Sequence, residues 1–275
     1  MFNRCQGWRS NDKTVSHLWP LVPFDGSEMS PTPAKLALIG FGAFGQLIAA
    51  HLPPHLRVHV IDPDPAAQSA ALARGLCPAG IEVVGDCDWV LLAVPLGALR
   101  PVLHQIAPLL RPGAVVMDVV SVKEEPARLM QDVLPEHVEL LATHPLFGPQ
   151  SARTRLAGAK VALCPLRGRR WRAVAVVLRR AGLRVLRMTP QDHDREAAVG
   201  QAIVHYLARA MEEFAIPRAV TTRSFDQLVA ALALVRNDPP EVAAAVLQGN
   251  LHAPAVGRRL AAAIAAQARG DAPTA

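Results

Sequence analysis

Aromatic residues are scarce in this chain, 4% of 275 positions, and it has a single tyrosine. Any densely packed core must therefore be built from Leu, Val and Ala, and a hydrophobic content of 51% provides enough of them. Cysteine is limited to four scattered residues, Cys5, Cys77, Cys87 and Cys164, with no C-x-x-C pair and no metal-ligand spacing. That excludes a disulfide framework, gives no metal site, and fits buried thiols in a reducing cytoplasm. No apolar run reaches the roughly 18–20 residues of a membrane span, so no membrane association is expected. Residues 1–33 mix Arg, Asp, Lys, Trp and Pro without a continuous apolar stretch, which argues against a secretory signal. They read as a disordered extension, with either Met1 or Met29 as the true start.

Charge of one sign is in modest excess, with 29 Lys and Arg against 23 Asp and Glu, a net +6. The arginines are spread through amphipathic segments, and no nucleic-acid motif is present, so no nucleic-acid partner is expected. A positive field that attracts small anions is the alternative use of this charge.

What is present is a regular alternation. Lys35–Gly40, Arg57–Asp62, Trp89–Pro95 and Ala114–Val120 are short apolar runs suited to parallel strands buried on both faces. Helical segments fall between them at Gln46–Leu52, Ala66–Arg74 and Leu99–Leu110. Val138–Ala142, Lys160–Leu163 and Leu183–Met188 read as further strands, with a helix over Trp171–Ala181. Beyond Gln191 the β-branched runs stop and helical periodicity takes over, at Gln191–Phe214, Ala219–Arg236, Pro240–Gly249 and Ala255–Ala268. The expected fold is an α/β Rossmann-type, doubly wound, mainly parallel sheet over 34–190, followed by an all-α C-terminal domain over 191–275.

Gly40-Phe41-Gly42-Ala43-Phe44-Gly45 matches G-x-G-x-x-G between a strand and a helix. Gly40 suits a tight turn, Gly42 a close approach of backbone to pyrophosphate, and Gly45 close packing of helix on strand. Asp62 ends the second strand, where a carboxylate accepts hydrogen bonds from an adenine ribose and repels a 2′-phosphate. NAD is thus expected, in preference to NADP; the other reading of Asp62 is a cap on the following helix. Val94-Pro95 closes the next strand, at the edge where the adenosine half would pass.

Asp118-Val119-Val120-Ser121-Val122-Lys123 follows another strand, and Thr143-His144-Pro145-Leu146-Phe147-Gly148-Pro149 yet another. The proline holds His144 extended, presenting an imidazole at a strand end. Read alone, such a histidine is either a surface residue or a catalytic one. The set GFGAFG, LLAVP, DVVSVK and HPLFGPQS, in this order, resembles the prephenate/arogenate (cyclohexadienyl) dehydrogenase family. The resemblance is strongest through Ser151 and extends to His193-Asp194 and Gln201-x-x-x-His205, which resemble the start of the family's dimerising helical domain.

The resemblance implies NAD-dependent oxidative decarboxylation of prephenate to 4-hydroxyphenylpyruvate, or of arogenate to tyrosine, in tyrosine biosynthesis. It implies His144 as the base that takes the hydroxyl proton and Ser121 as its hydrogen-bonding partner. It places His205, supported by Gln201, toward a small cyclohexadienyl substrate, with Ser151 on the substrate side. His205 read alone is as well explained as a core histidine. One position departs from the family pattern: the helix before Asp238-Pro239 carries Ala233 where a carboxylate-binding arginine is expected, and Arg236 or Arg223 is left to fill that role. The competing readings are another two-domain NAD(P)-dependent hydroxyacid dehydrogenase, against which counts the lack of lysine over residues 191–213, and a divergent NAD-binding non-enzyme. A helical domain of ~85 residues has a marginal core, so a homodimer through residues beyond Gln191 is expected.

Overall fold

The computed structural model describes residues 34–53, 55–149, 156–216 and 219–271. The proposed N-terminal extension and Ser151 lie outside them. The described residues form two compact units, which divide between Thr189 and Pro190.

The first unit opens with β1 (Lys35–Ile39), α1 (Ala43–Ala49), β2 (Arg57–Ile61) and α2 (Pro65–Ala73). A two-residue β3 (Cys77–Pro78), β4 (Trp89–Leu92), α3 (Leu96–Ile106), β5 (Val115–Asp118) and α4 (Glu124–Val133) follow. The unit closes with β6 (Glu139–Pro145), β7 (Lys160–Arg167), α5 (Trp171–Arg180) and β8 (Arg184–Arg187). All eight strands join one sheet in the order β3-β2-β1-β4-β5-β6-β7-β8. Its first six positions run 3-2-1-4-5-6, the doubly wound order of dinucleotide-binding sheets. Pairing is parallel except between β6 and β7, which run antiparallel.

Successive strand residues point to opposite faces, and both faces are covered. Ala37, Ile39, Val90, Leu92 and Val116 pack against Leu99, Leu103 and Ile106 of α3 and Leu129 and Met130 of α4. Leu36, Leu38, Val60, Leu91 and Leu163 pack on the other side with Ala67 and Ala71 of α2 and Val174 and Ala175 of α5. That double burial is why β4 reads as an unbroken apolar run. Trp89 is one of the few aromatics in this core, with the Arg170 guanidinium 4.3 Å from its ring centre. Cys87 is buried too, and burial pushes its thiol up to about 11.

Among the strands that differ from their sequence-derived bounds, β5 and β6 do so for visible reasons. β5 stops at Asp118 because that side chain turns to accept the amide of Val120 at 2.9 Å, which bends the chain out of the ladder. β6 runs past Ala142 to Pro145, because the antiparallel return of β7 pairs His144 with Ala162. His144 therefore sits inside a strand and is buried, at 5% exposure.

The second unit is helical: α6 (Pro190–Ala197), α7 (Ile203–Ala210), α8 (Arg223–Arg236), α9 (Pro240–Ala244) and α10 (Ala253–Arg269). Wide π-type turns follow α6 at Ala198–Ala202 and α9 at Ala245–Gly249, so each apparent long helix is interrupted. Ala202, Val246, Leu247 and Ala253 form a small core with Tyr206 against them. The Cβ of any larger residue at Gly257 would stand 2.7 Å from the Tyr206 ring, so glycine lets α10 approach it. No helix among the described residues is long and apolar enough to cross a membrane.

Candidate functional site

Parallel pairing of β1, β4, β5 and β6 brings their carboxyl ends to one edge of the sheet. The glycine-rich turn leaves β1 at that edge, Val94-Pro95 follows β4, Ser121 follows β5, and His144 lies one residue before the end of β6. Six sequence-derived elements are thus gathered along one line: the glycine turn, Asp62, Val94, Pro95, Ser121 and His144.

The turn's glycines have different reasons. Gly40 has φ +92°, and a Cβ there would lie 2.4 Å from the Ala93 carbonyl oxygen and 3.2 Å from Val94. Gly45 would meet the Gly40 carbonyl oxygen at 2.3 Å. Gly42 is different, with an ordinary φ of −64° and no atom within 4 Å of where a Cβ would stand. No contact among the described residues requires glycine at that position, so the bare backbone faces space that a ligand can enter. The first intrahelical bond is Gln46 N–H to the Gly42 carbonyl at 3.0 Å, which leaves, among the described residues, the first-turn amides of Ala43, Phe44 and Gly45 for an anion.

Asp62 is tied directly to this turn. Its Oδ2 accepts the Phe41 amide at 2.7 Å and its Oδ1 accepts the Asp64 amide at 2.9 Å. The helix cap is Asp64, whose carboxylate accepts the Ala66 amide at 2.9 Å. Capping therefore does not account for Asp62, whose half-buried carboxylate stands after β2 against the glycine turn. The glycine turn and Asp62 together fit a dinucleotide with an unphosphorylated adenine ribose.

At the opposite end of the line, Phe44 of α1 and Phe147 lie with ring centres 6.4 Å apart, joining the glycine turn to the segment after His144. Beneath Ser121 and His144 is a polar group that sequence reasoning did not single out. Asp118 and Lys123 are wholly buried and ion-paired. The Lys123 ammonium also donates to the Thr143 carbonyl at 2.6 Å. The signal was available: an aspartate and a lysine five residues apart, with only valines and Ser121 between them. Among the described residues no cluster of His, Cys, Asp and Glu could hold a metal ion.

Residues 49–186, half of the chain, match the family described as prephenate dehydrogenase, nucleotide-binding domain. The chain belongs to the prephenate dehydrogenase family. The glycine turn lies just ahead of the matched stretch. The chain is 29% identical to arogenate dehydrogenase 1, chloroplastic, of Arabidopsis thaliana over 76% of its own length. It is 28% identical to that plant's arogenate dehydrogenase 2, chloroplastic, over 71%. It spans only 35% and 58% of those two proteins. Among solved structures, prephenate dehydrogenase from A. aeolicus, in complex with hydroxyphenyl propionate and NAD+, superposes with a TM-score of 0.68. That match covers 88% of this chain and 93% of the other at 20% identity, a likeness of fold.

In the second unit of this family member, the remaining candidates sit on or near α7. His205 is buried, and burial followed by the nearby Arg209 guanidinium lowers its pKa, keeping the imidazole neutral near pH 7. Gln201 lies in the π-type turn just before α7, its Oε1 buried and without a hydrogen-bond partner among the described residues. Arg236 donates from Nη2 to the Ala208 carbonyl at 3.2 Å, tying α8 to α7, so one of its five donors serves packing. Asp194 bonds His193 Nδ1 at 2.7 Å, and its carbonyl accepts the Asn250 amide at 2.8 Å. Those buried groups hold α6 to the turn before α10, which is a structural task.

Proposed function

We propose that this chain is an NAD-dependent prephenate or arogenate dehydrogenase, oxidising a cyclohexadienyl ring alcohol with loss of CO₂. The observation that carries the reading is the placement of His144, a buried imidazole at a strand end in line with the glycine turn and the Ser121 loop. Family membership supports the same conclusion.

In this reading the glycine turn and Asp62 hold the dinucleotide, with Val94-Pro95 beside its adenosine half. NAD supplies, when bound, a hydride acceptor for the hydrogen on the carbinol carbon. His144 takes the hydroxyl proton, and an imidazole does so well because its pKa lies near the working pH. Ser121 hydrogen-bonds to the imidazole or to the substrate hydroxyl and so orients the transfer. The C–C bond to the ring carboxylate then breaks with release of CO₂. For prephenate, aromatisation drives that cleavage, and no residue is assigned to it.

His205 and Gln201 are proposed as substrate contacts; the neutral imidazole and the unsatisfied Oε1 support this. Arg236 is proposed to hold a substrate carboxylate with the donors it does not give to Ala208, and Ser151 is proposed on the substrate side. The reading includes a homodimer formed through the second unit. Its small core, beside Phe214 at 64%, Leu251 at 73% and Ile264 at 53% exposure, supports that assembly. The scattered cysteines support a reducing cytoplasm as its setting.

The test is turnover of prephenate and of arogenate with NAD+ and NADP+, followed by nicotinamide absorbance. His144→Asn should abolish turnover while NAD binding stays within about twofold, because the imidazole does chemistry and not binding. Wild-type turnover of neither substrate, or full activity in His144→Asn, would overturn the reading.

A further inference from the structure

The buried Asp118–Lys123 pair is an expensive way to fill a core. Two charges leave water, and such pairs are often no more stable than well-packed apolar residues of the same volume. Burial pushes the Asp118 carboxyl up, while the Lys123 ammonium and the amides of Val120 and Thr143 pull it back. What the pair touches gives it a purpose. Asp118 accepts the Val120 amide at 2.9 Å, one residue before Ser121. The same carboxylate accepts the Thr143 amide at 3.3 Å, one residue before His144. Thr143 Oγ1 donates to the Asp118 carbonyl at 2.5 Å, and Lys123 Nζ donates to the Thr143 carbonyl at 2.6 Å. The loop carrying Ser121 is thus pinned on both sides, at Val120 and Lys123. The peptide preceding His144 is held by its N–H, its carbonyl and its hydroxyl side chain.

We propose that Asp118, Lys123 and Thr143 form a positioning clamp that sets Ser121 and His144 relative to each other, without themselves touching the substrate. The inference rests on the function proposed above, in which those two residues act on the substrate hydroxyl. A misplacement of ~1 Å in such a constellation costs about 10²-fold in rate. A merely stabilising pair would instead be replaceable without effect on chemistry once the fold was kept.

The experiment compares wild type with the double variant Asp118→Asn/Lys123→Met, which removes both charges together and leaves no unpaired ion. The clamp predicts a folded protein that binds NAD within about threefold of wild type, with kcat lower by about 30- to 100-fold. Wild-type kcat in that folded variant overturns the proposal. Should the double variant fail to fold, Thr143→Val and Thr143→Ser decide. Valine should lower kcat about fivefold or more, and serine, which keeps the hydroxyl, should restore it. Equal kcat in both overturns the clamp. NMR of the His144 ring, assigned with His144→Asn, gives a reading independent of turnover. Its resonances should move in the double or Thr143→Val variant while those of His104 stay; unmoved His144 resonances overturn the clamp even if wild type turns over neither substrate. Absence of wild-type turnover is a failure of the proposed function alone.

Discussion

Replacing Gly42 by alanine should damage cofactor binding and leave the fold intact, and the structure gives both halves of that expectation. With φ at −64° and no atom within 4 Å of the added methyl, Gly42→Ala meets neither strain nor clash. Its effect on stability should be near zero or a gain of about 0.4–1 kcal/mol, because alanine restricts the unfolded chain more than glycine does. For a protein of this size 1 kcal/mol moves Tm by roughly 2–4 °C. Gly40→Ala is the control. It carries a positive-φ cost of about 1–2 kcal/mol and a methyl pressed to 2.4 Å from the Ala93 carbonyl oxygen. Tm should therefore fall by several degrees. If a pyrophosphate sits on the Gly42 backbone, the methyl of Gly42→Ala occupies its place, and Kd for NAD should rise at least about tenfold, or ~1.4 kcal/mol. Thermal unfolding and calorimetric NAD titration of both variants make the measurement. A Gly42→Ala protein that binds NAD like wild type would show that the open space at Gly42 is not where the dinucleotide lies.

Three further expectations concern other groups. Asp62→Asn removes the charge that opposes a 2′-phosphate while keeping one acceptor for the Phe41 or Asp64 amide, so the NAD+ over NADP+ preference in kcat/KM should fall about tenfold; an unchanged ratio would count against Asp62 as the ribose acceptor. His205 has a lowered pKa in the folded state, so the unfolded chain binds its proton more readily; the stability tied to the neutral imidazole is complete above about pH 6.5 and is lost as pH falls through the window below it. The drop in Tm between pH 7.5 and 5.5 should accordingly be smaller in His205→Gln than in wild type, and an equal drop would contradict the assignment. Ile264→Glu, on an exposed stretch of α10, should convert a wild-type dimer to monomer in light scattering without loss of helix content, whereas a wild-type monomer at micromolar concentration would remove the dimer from the reading.

Most of the sheet was legible because strands buried on both faces leave a plain mark. Trp89–Leu92 and Val115–Asp118 are apolar throughout or nearly so, and Leu99–Leu110 between them has helical spacing. Elements that escaped notice carry weaker marks. β3 is two residues long and includes a proline. α4 begins Glu124-Glu125-Pro126 and carries Arg128 paired to Glu125 and Asp132, so charge hides the buried Leu129 and Met130. The antiparallel turn of β7 cannot be read from its own residues, because strand direction is decided by the connection and the partner. The breaks at Ala198–Ala202 and Ala245–Gly249 are equally silent, since a π-type turn changes which carbonyl an amide reaches and not which residues are apolar.

The site divides along a similar line. Glycines and an acid at fixed offsets are local signals: Gly45 and Asp62 follow from contacts within one strand–turn–helix unit and the next strand, while Gly40 is also pressed against Ala93 and Val94 after β4. His144 was legible as a residue and not as an environment. Its neighbours in sequence give an imidazole at a strand end, either surface or catalytic, while the β7 return places it in a ladder opposite Ala162. Lys123 is the sharper case. A lysine at the start of a helix is ordinarily read as solvated, and five residues of sequence separation do not reveal that Asp118 turns back to meet it. What makes the pair intelligible is Thr143, 20 residues beyond Lys123, whose amide and carbonyl meet the two side chains and whose hydroxyl donates to the Asp118 carbonyl. Such a three-way closure arises only once β5 and β6 are paired in their register, with Asp118 opposite Ala142. A shift of one residue would turn Asp118 to the other face and leave Lys123 buried without its counter-charge, at a cost of several kcal/mol. The clamp that holds Ser121 and His144 in place is by the same contacts a lock on the strand register beneath them.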